Sequence, residues 1–327
     1  MMIDAVEFIK NVNIERGDKD DDCEYEVTKQ AMELYLKYPC YKNWKPFLYG
    51  STLSNFIRYA RLNKHECRGD KGYVGAYLLK NEEGDKALTA DIITSIKSPI
   101  NQILPEGAKL SSSIINEKIR ENILKEKESI SFEDLTQKPE SIIEGEIVPY
   151  IIAFAKVYYW CGNMMPIIAN WNGKGDVWYN KIDHMINNDC ENENEYDNYM
   201  ESGKKHPPIK LYKSWITKYY KNDIETFVNE NFLTDFCKKQ SEKIVVRSFT
   251  KLSEFKQDPD NVKKWFLNNT KLIIQRSYRI FYNFSGDWND PVENEHNENL
   301  QEIMRYVFEE AGFSKEEVES ETFLEPF

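Results

Sequence analysis

Asp176, Asp183 and His184 come closest, in type and spacing, to a set that could do chemistry. The two aspartates stand seven residues apart, which is two turns on one helical face, and His184 adjoins the second. With Asp189 nearby they could offer oxygen and nitrogen ligands to a divalent metal ion, as a metal-dependent hydrolase acting on nucleic acid requires. The same residues read more simply as a carboxylate at the positive end of a helix dipole beside a partly exposed histidine, with no chemistry attached. His65, Glu66, Cys67 and Asp70 form a second polar cluster, but none of its pairs has helical i, i+4 spacing. The sequence has no Walker loop, no GxGxxG, no GxSxG, no HExxH and no kinase signature. Without any of these, a noncatalytic role is the first expectation.

A different chemistry is suggested by Asn163 and Asn170, which flank a polar turn beside Tyr158, Tyr159, Trp160 and Trp171. Ligand pockets commonly pair an apolar wall with a few polar groups, so these residues could bind a small molecule such as a nucleotide.

The element that would position them is the run from Pro149 to Asn172, the most apolar and aromatic of the chain. Ile147, Ile151, Phe154, Ala155 and Tyr158 recur at steps of three and four, and Ile152, Tyr159 and Trp160 widen the apolar face. This predicts a buried central helix at 149–161, with Pro149 in its first turn and Gly162 closing it in a left-handed conformation. That helix is too short for a membrane span and carries Lys156 in the middle.

The rest of the chain reads as helices around that centre. A run from Glu24 to Lys37 ends at Pro39, and Ser51 or Thr52 can cap the next. Tyr73 to Leu79 and Ala87 to Ile93 flank the turn Asn81 to Gly84, which predicts a short hairpin, although the second run can also start a helix capped by Thr89. Asp91 then falls in a first helical turn, and Ser98 with Pro99 should interrupt it. Later starts are Asn222 with Glu225, leading a run through Phe236 that bends near Asn231, then Asp258 with Pro259, and Asp290 with Pro291. Gly312 should close the last of these, and Ser314 with Glu317 should open a final short helix. The fold class is therefore mainly α, a helical assembly around the 149–161 helix with at most a small β-hairpin near 73–93. Residues 1–104 and 140–327 form the N- and C-terminal helical regions, with 105–139 as a linker or insertion, unless the whole is one domain.

Charge is unevenly placed. Between Lys204 and Gly286 there are seventeen Lys and Arg against eight Asp and Glu, a net of +9, whereas thirteen acids against Arg305 and Lys315 give −11 from Asp287 onward. The 286 residues before Asp287, the basic block included, are nearly neutral at −1, because the whole chain carries −12. The two blocks could satisfy each other across the fold as solvated faces, or 204–286 could be a footprint for a phosphate backbone with the acidic segment as a gate. Six widely separated cysteines read as reduced thiols, and the N-terminal residues do not resemble a signal peptide, so a cytoplasmic location is expected.

Four segments, YGSTLSNFIRYA at 49–60, ALTADIITSI at 87–96, YYWCGNMMPIIAN at 158–170 and IIQRSYRIF at 273–281, resemble in order those of an uncharacterised family of bacterial cytosolic proteins. That family carries an acidic residue where this chain has Ser51 and a glycine where it has Ser277. The resemblance implies a helix-rich bacterial domain, and its matching positions nominate Thr52, Asp91, Asn163, Asn170, Arg276 and Arg279 as polar residues of a shared site. The same six residues also read as caps, turn formers and buried ion pairs. No activity comes with the family. Together the readings lead first to an interaction or regulatory protein of a bacterial or phage conflict system with a protein partner, and otherwise to the hydrolase or the small-ligand binder.

Overall fold

The computed structural model describes residues 4, 5, 8, 9, 78–80, 86–88, 90–105, 107–122, 146–158, 160–163, 220, 223–230, 232–240, 243–246, 258–283 and 293–324. Over these residues the protein is mainly α-helical. The helices expected at 24–37, after Ser51, at 176–188 and around Trp215 lie outside them.

The hairpin falls where the sequence placed it. Strand β1 (Leu78–Lys80) pairs antiparallel with β2 (Lys86–Leu88), Leu79 facing Ala87. Both readings of the second run hold in turn, since the chain is strand to Leu88 and helix from Ala90. Helix α1 (Ala90–Ile103) is not interrupted at Ser98 and Pro99, as the sequence suggested, but passes through the buried Pro99. A mid-helix proline costs roughly 3 kcal/mol. Against this, Ile92, Ile93, Ile96, Ile100 and Ile103 are all buried, and each contributes about 1.5–3 kcal/mol. Burial wins, and the helix continues. Asn101 and the backbone of Leu110 then clasp each other through bonds of 3.0 and 2.8 Å, turning the chain into α2 (Ser112–Asn122). Leu110, Ile115 and Ile119 belong to the same buried cluster as the other helices.

Helix α3 (Ile147–Val157) is the expected centre: all of its residues but Tyr150 and Lys156 are buried. It ends at Val157 rather than Cys161, where the chain tightens through Tyr158 and Trp160 into a single 3₁₀ turn, Cys161–Asn163. Helix α5 (Pro259–Asn283) packs along α3, with Phe154 stacked 5.4 Å from Trp265 and 5.5 Å from Phe266. Its start is the expected one, the Asp258 carboxylate accepting from the Asp260 amide at 3.0 Å.

Between them lies a part the sequence reading placed differently. Helix α4 (Ile224–Glu230) is capped by Asp223 rather than Asn222, and it stops well before Phe236. Phe232 adopts φ 54°, Leu233 N–H donates to Val228 O at 2.9 Å and Phe232 N–H donates to Asn229 O at 3.1 Å. These two bonds make a Schellman closure with phenylalanine in the place usually held by glycine. A left-handed phenylalanine costs roughly 1–2 kcal/mol, offset here by burial of the Phe232 and Leu233 side chains. The closure releases the chain into a second hairpin, β3 (Cys237–Gln240) with β4 (Lys243–Val246).

At the C-terminal end, helix α6 (Glu293–Glu309) closes at Gly312, whose φ of 99° is left-handed. Ser314 and Glu317 form a complete capping box on α7 (Lys315–Val318), followed by α8 (Glu321–Leu324). Phe308, Phe313 and Phe323 stack on one another, and Tyr150 of α3 meets Phe313 edge-on at 4.8 Å. The acidic end of the sequence is thereby fastened to the central helix.

The Asp223 cap has a pH signature. Hydrogen bonds from the Thr226 hydroxyl and then the Thr226 amide hold its carboxyl below the ordinary carboxylate range. With the folded pKa depressed, this stabilisation is complete above the unfolded value of about 3.9 and is lost as pH falls through the folded one. Asp223→Asn, which caps without a charge, should flatten the acid limb of urea midpoint against pH. An acid limb identical to that of the wild type would contradict the assignment.

Candidate functional site

Two of the polar residues nominated from the sequence, Asn163 and Arg276, come together where the 161–163 turn lies against α5. Gly162 N–H donates to Ser277 Oγ at 2.9 Å, and the Arg276 guanidinium donates to Gly162 O at 2.7 Å, both bonds buried. One residue further, Asn163 Nδ2 donates to Tyr158 O at 2.7 Å and so satisfies a carbonyl at the end of α3. The Tyr158 hydroxyl shares a 2.9 Å hydrogen bond with Ser95 of α1, and Asn299 of α6 donates to the Tyr278 hydroxyl at 3.3 Å. Arg276, Ser277 and Tyr278 are consecutive residues that together hold two other elements.

Gly162 is not left-handed, contrary to the sequence reading: positive φ among the described glycines occurs at Gly107 and Gly312. What demands glycine there is proximity. A Cβ at 162 would collide with Ile273 O and Ser277 Oγ and stand 2.7 Å from Ser277 N.

Arg279 goes elsewhere. Its guanidinium pairs with Asp235 Oδ1 at 2.9 Å and donates to Thr234 Oγ1 at 2.9 Å, fixing the turn that leads into β3. Asn163 and Arg276 are thus brought into one cluster and Arg279 into another, while Asp91 stands in the first turn of α1 as expected. Thr52, Asn170, Asp176, Asp183 and His184 lie outside the described residues.

Two participants were not nominated by the sequence reading. Ser277 was noted only where the resembled family has glycine; here its hydroxyl supplies the acceptor for Gly162 N–H. Asp235 gave no local signal, because its partner lies 44 residues away on α5 and its 3% exposure is a tertiary property. The arrangement positions backbone and pairs buried polar groups with one another. Among the described residues, no group of three or more His, Cys, Asp or Glu could hold a metal ion, and no helix is long and apolar enough to cross a membrane. Comparison with known proteins finds no matching family model, no similar curated protein and no similar solved structure.

Gly162→Ala should destabilise the protein by about 3 kcal/mol, at the upper end for overpacking because the colliding atoms include helix backbone. A loss below about 1 kcal/mol in urea unfolding would show that the turn can move away. For the second cluster, a double-mutant cycle on Arg279→Ala and Asp235→Ala should return a coupling of about 1–3 kcal/mol; additive single effects would mean that the pair does not fix the turn.

Proposed function

We propose that this protein is a noncatalytic interaction or regulatory protein, working in a bacterial or phage conflict system, that binds a protein partner through the acidic face at its C-terminal end. One observation carries the reading: the acid-rich segment is a folded surface on a packed base. Glu298, Glu309, Glu310, Glu316, Glu317 and Glu319 are exposed, while Phe308, Phe313, Val318 and Phe323 on the same elements are buried. The outward face of α6 also presents Tyr306, one of two large apolar side chains exposed among the described residues. Carboxylates held on rigid elements lose little freedom on binding, and interfaces set aromatic anchors inside a polar rim. Lys156 meets Glu310 at 3.5 Å and further ties this face to α3. The resemblance to an uncharacterised bacterial cytosolic family fits the same reading and adds no activity to it.

The other readings keep their own residues. A metal-dependent hydrolase acting on nucleic acid would use Asp176, Asp183 and His184, and a small-ligand binder would use Asn163 and Asn170 with the cluster around Arg276.

The test compares wild type with a variant carrying Gln at Glu298, Glu309, Glu316 and Glu319, four exposed positions outside the capping box. Cross-linking capture should recover a protein partner whose association with the variant is at least about tenfold weaker and less salt-dependent, as expected for charges at an interface rim. A partner held equally by both proteins would refute the acidic face. Metal-dependent cleavage of DNA or RNA by the purified protein, removed by Asp183→Asn, would refute the noncatalytic reading.

A further inference from the structure

Gln275 stands apart from the other buried polar residues of α5. It is 2% exposed, and its Oε1 has no hydrogen-bond partner. The polar residues near it in the helix are answered: Asn269 and Thr270 bond back to the helix, while Arg276 and Ser277 meet Gly162. A buried amide oxygen left unpaired gives up its hydration and receives nothing for it. Such a group calls for an explanation.

Helical geometry shows where the amide stands. At about 100° per residue, Gln275 is nearly opposite Ser277, and so on the side of α5 turned away from the 161–163 turn. Steps of three and four residues along that side give Lys264, Asn268, Lys271, Gln275 and Arg279. Lys264 is exposed, Asn268 is half-buried, and Lys271 and Gln275 are buried. From Lys264 the stripe therefore passes from solvent to interior, covering roughly 16 Å by Gln275. Its residues are cations and amides, with no acid among them. Beyond Gln275, Arg279 is committed to Asp235 and Thr234, which ends the stripe.

We propose that this side of α5 binds an adenine nucleotide, the base on the Gln275 amide and the phosphates toward Lys264. A glutamine amide sets donor and acceptor side by side, the complement of the N6 and N7 edge of adenine. Lys264 keeps its charge in water, where a phosphate can meet it without the burial of either ion. A ligand of this kind has its neutral hydrogen-bonding end and its charged end in the same order as the stripe. The unpaired amide then lowers the stability of the free protein and is satisfied on binding, a trade expected of a site and not of a core. This surface is distinct from the acidic C-terminal face, and the two readings fail separately, each on its own variants.

The experiment follows thermal unfolding of the full chain with ATP, GTP, adenosine or inorganic triphosphate at millimolar concentration. ATP should raise the wild-type midpoint by about 2–4 °C, and GTP should bind at least about tenfold more weakly, because its base edge presents another pattern. Gln275→Met keeps the volume and removes the amide, so the free variant should be at least as stable as wild type and should lose the response to ATP. Lys264→Gln, at an exposed position, should weaken ATP about fivefold and leave adenosine unchanged. No response of wild type to ATP overturns the proposal, as does an equal response to inorganic triphosphate, which would mark a simple cationic patch. A Gln275→Met variant that is less stable than wild type or fails to fold also overturns it, since the amide would then serve the fold. So does one that responds to ATP as wild type does.

Discussion

The approach of one turn of backbone to within hydrogen-bonding distance of a buried helix is the constraint on which the described core depends. Gly162 brings its amide to Ser277 and its carbonyl to Arg276 because no side chain stands between the two backbones. With that contact made, α3 must end near Val157, its last carbonyls must find partners such as Asn163, and α5 must present Arg276 and Ser277 inward. Any Cβ at position 162 would push these elements apart together, so the contact couples the end of one helix to the middle of another.

Helix α5 is the unusual member of this core. It is buried over most of its length, yet Asn269, Thr270, Lys271, Gln275, Arg276 and Ser277 lie within it at 6% exposure or less. Buried polar groups are tolerable only when partnered, and much of the internal hydrogen bonding described above meets that demand. Asn269 and Thr270 donate back to Trp265 O and Phe266 O within the helix, whereas Arg276 and Arg279 reach across to other elements. The apolar contacts to Phe154 hold the helix in place, and the polar ones select a single register for what packs against it. Lys263, in an ion pair with Glu146, fixes the first turns of α5 beside the start of α3.

Around this centre the charges are segregated. The acidic segment is folded onto Tyr150 and α3 by its phenylalanines, and the basic hairpin is rooted by Arg279.

Local chemistry in the sequence determined a good part of this protein. The apolar period of α3, the Asp258–Pro259 start, the left-handed Gly312, the Ser314–Glu317 box and the first hairpin were legible because each signal is complete within a turn or two of chain. Tertiary structure decided the rest. Pro99 stays inside α1 because five isoleucines on one face outweigh one lost backbone bond. Phe232 serves as a helix stop because burial offsets its strain, and no glycine announced it. Asn163 and Arg276 share one cluster while Arg279 joins another, a division that three residues of helix cannot reveal. Glycine at 162 is required by atoms 111 to 115 residues away, at Ile273 and Ser277. A residue type records the demand for a close approach, but the partner exists only once distant segments have packed, and that is a property of the folded chain.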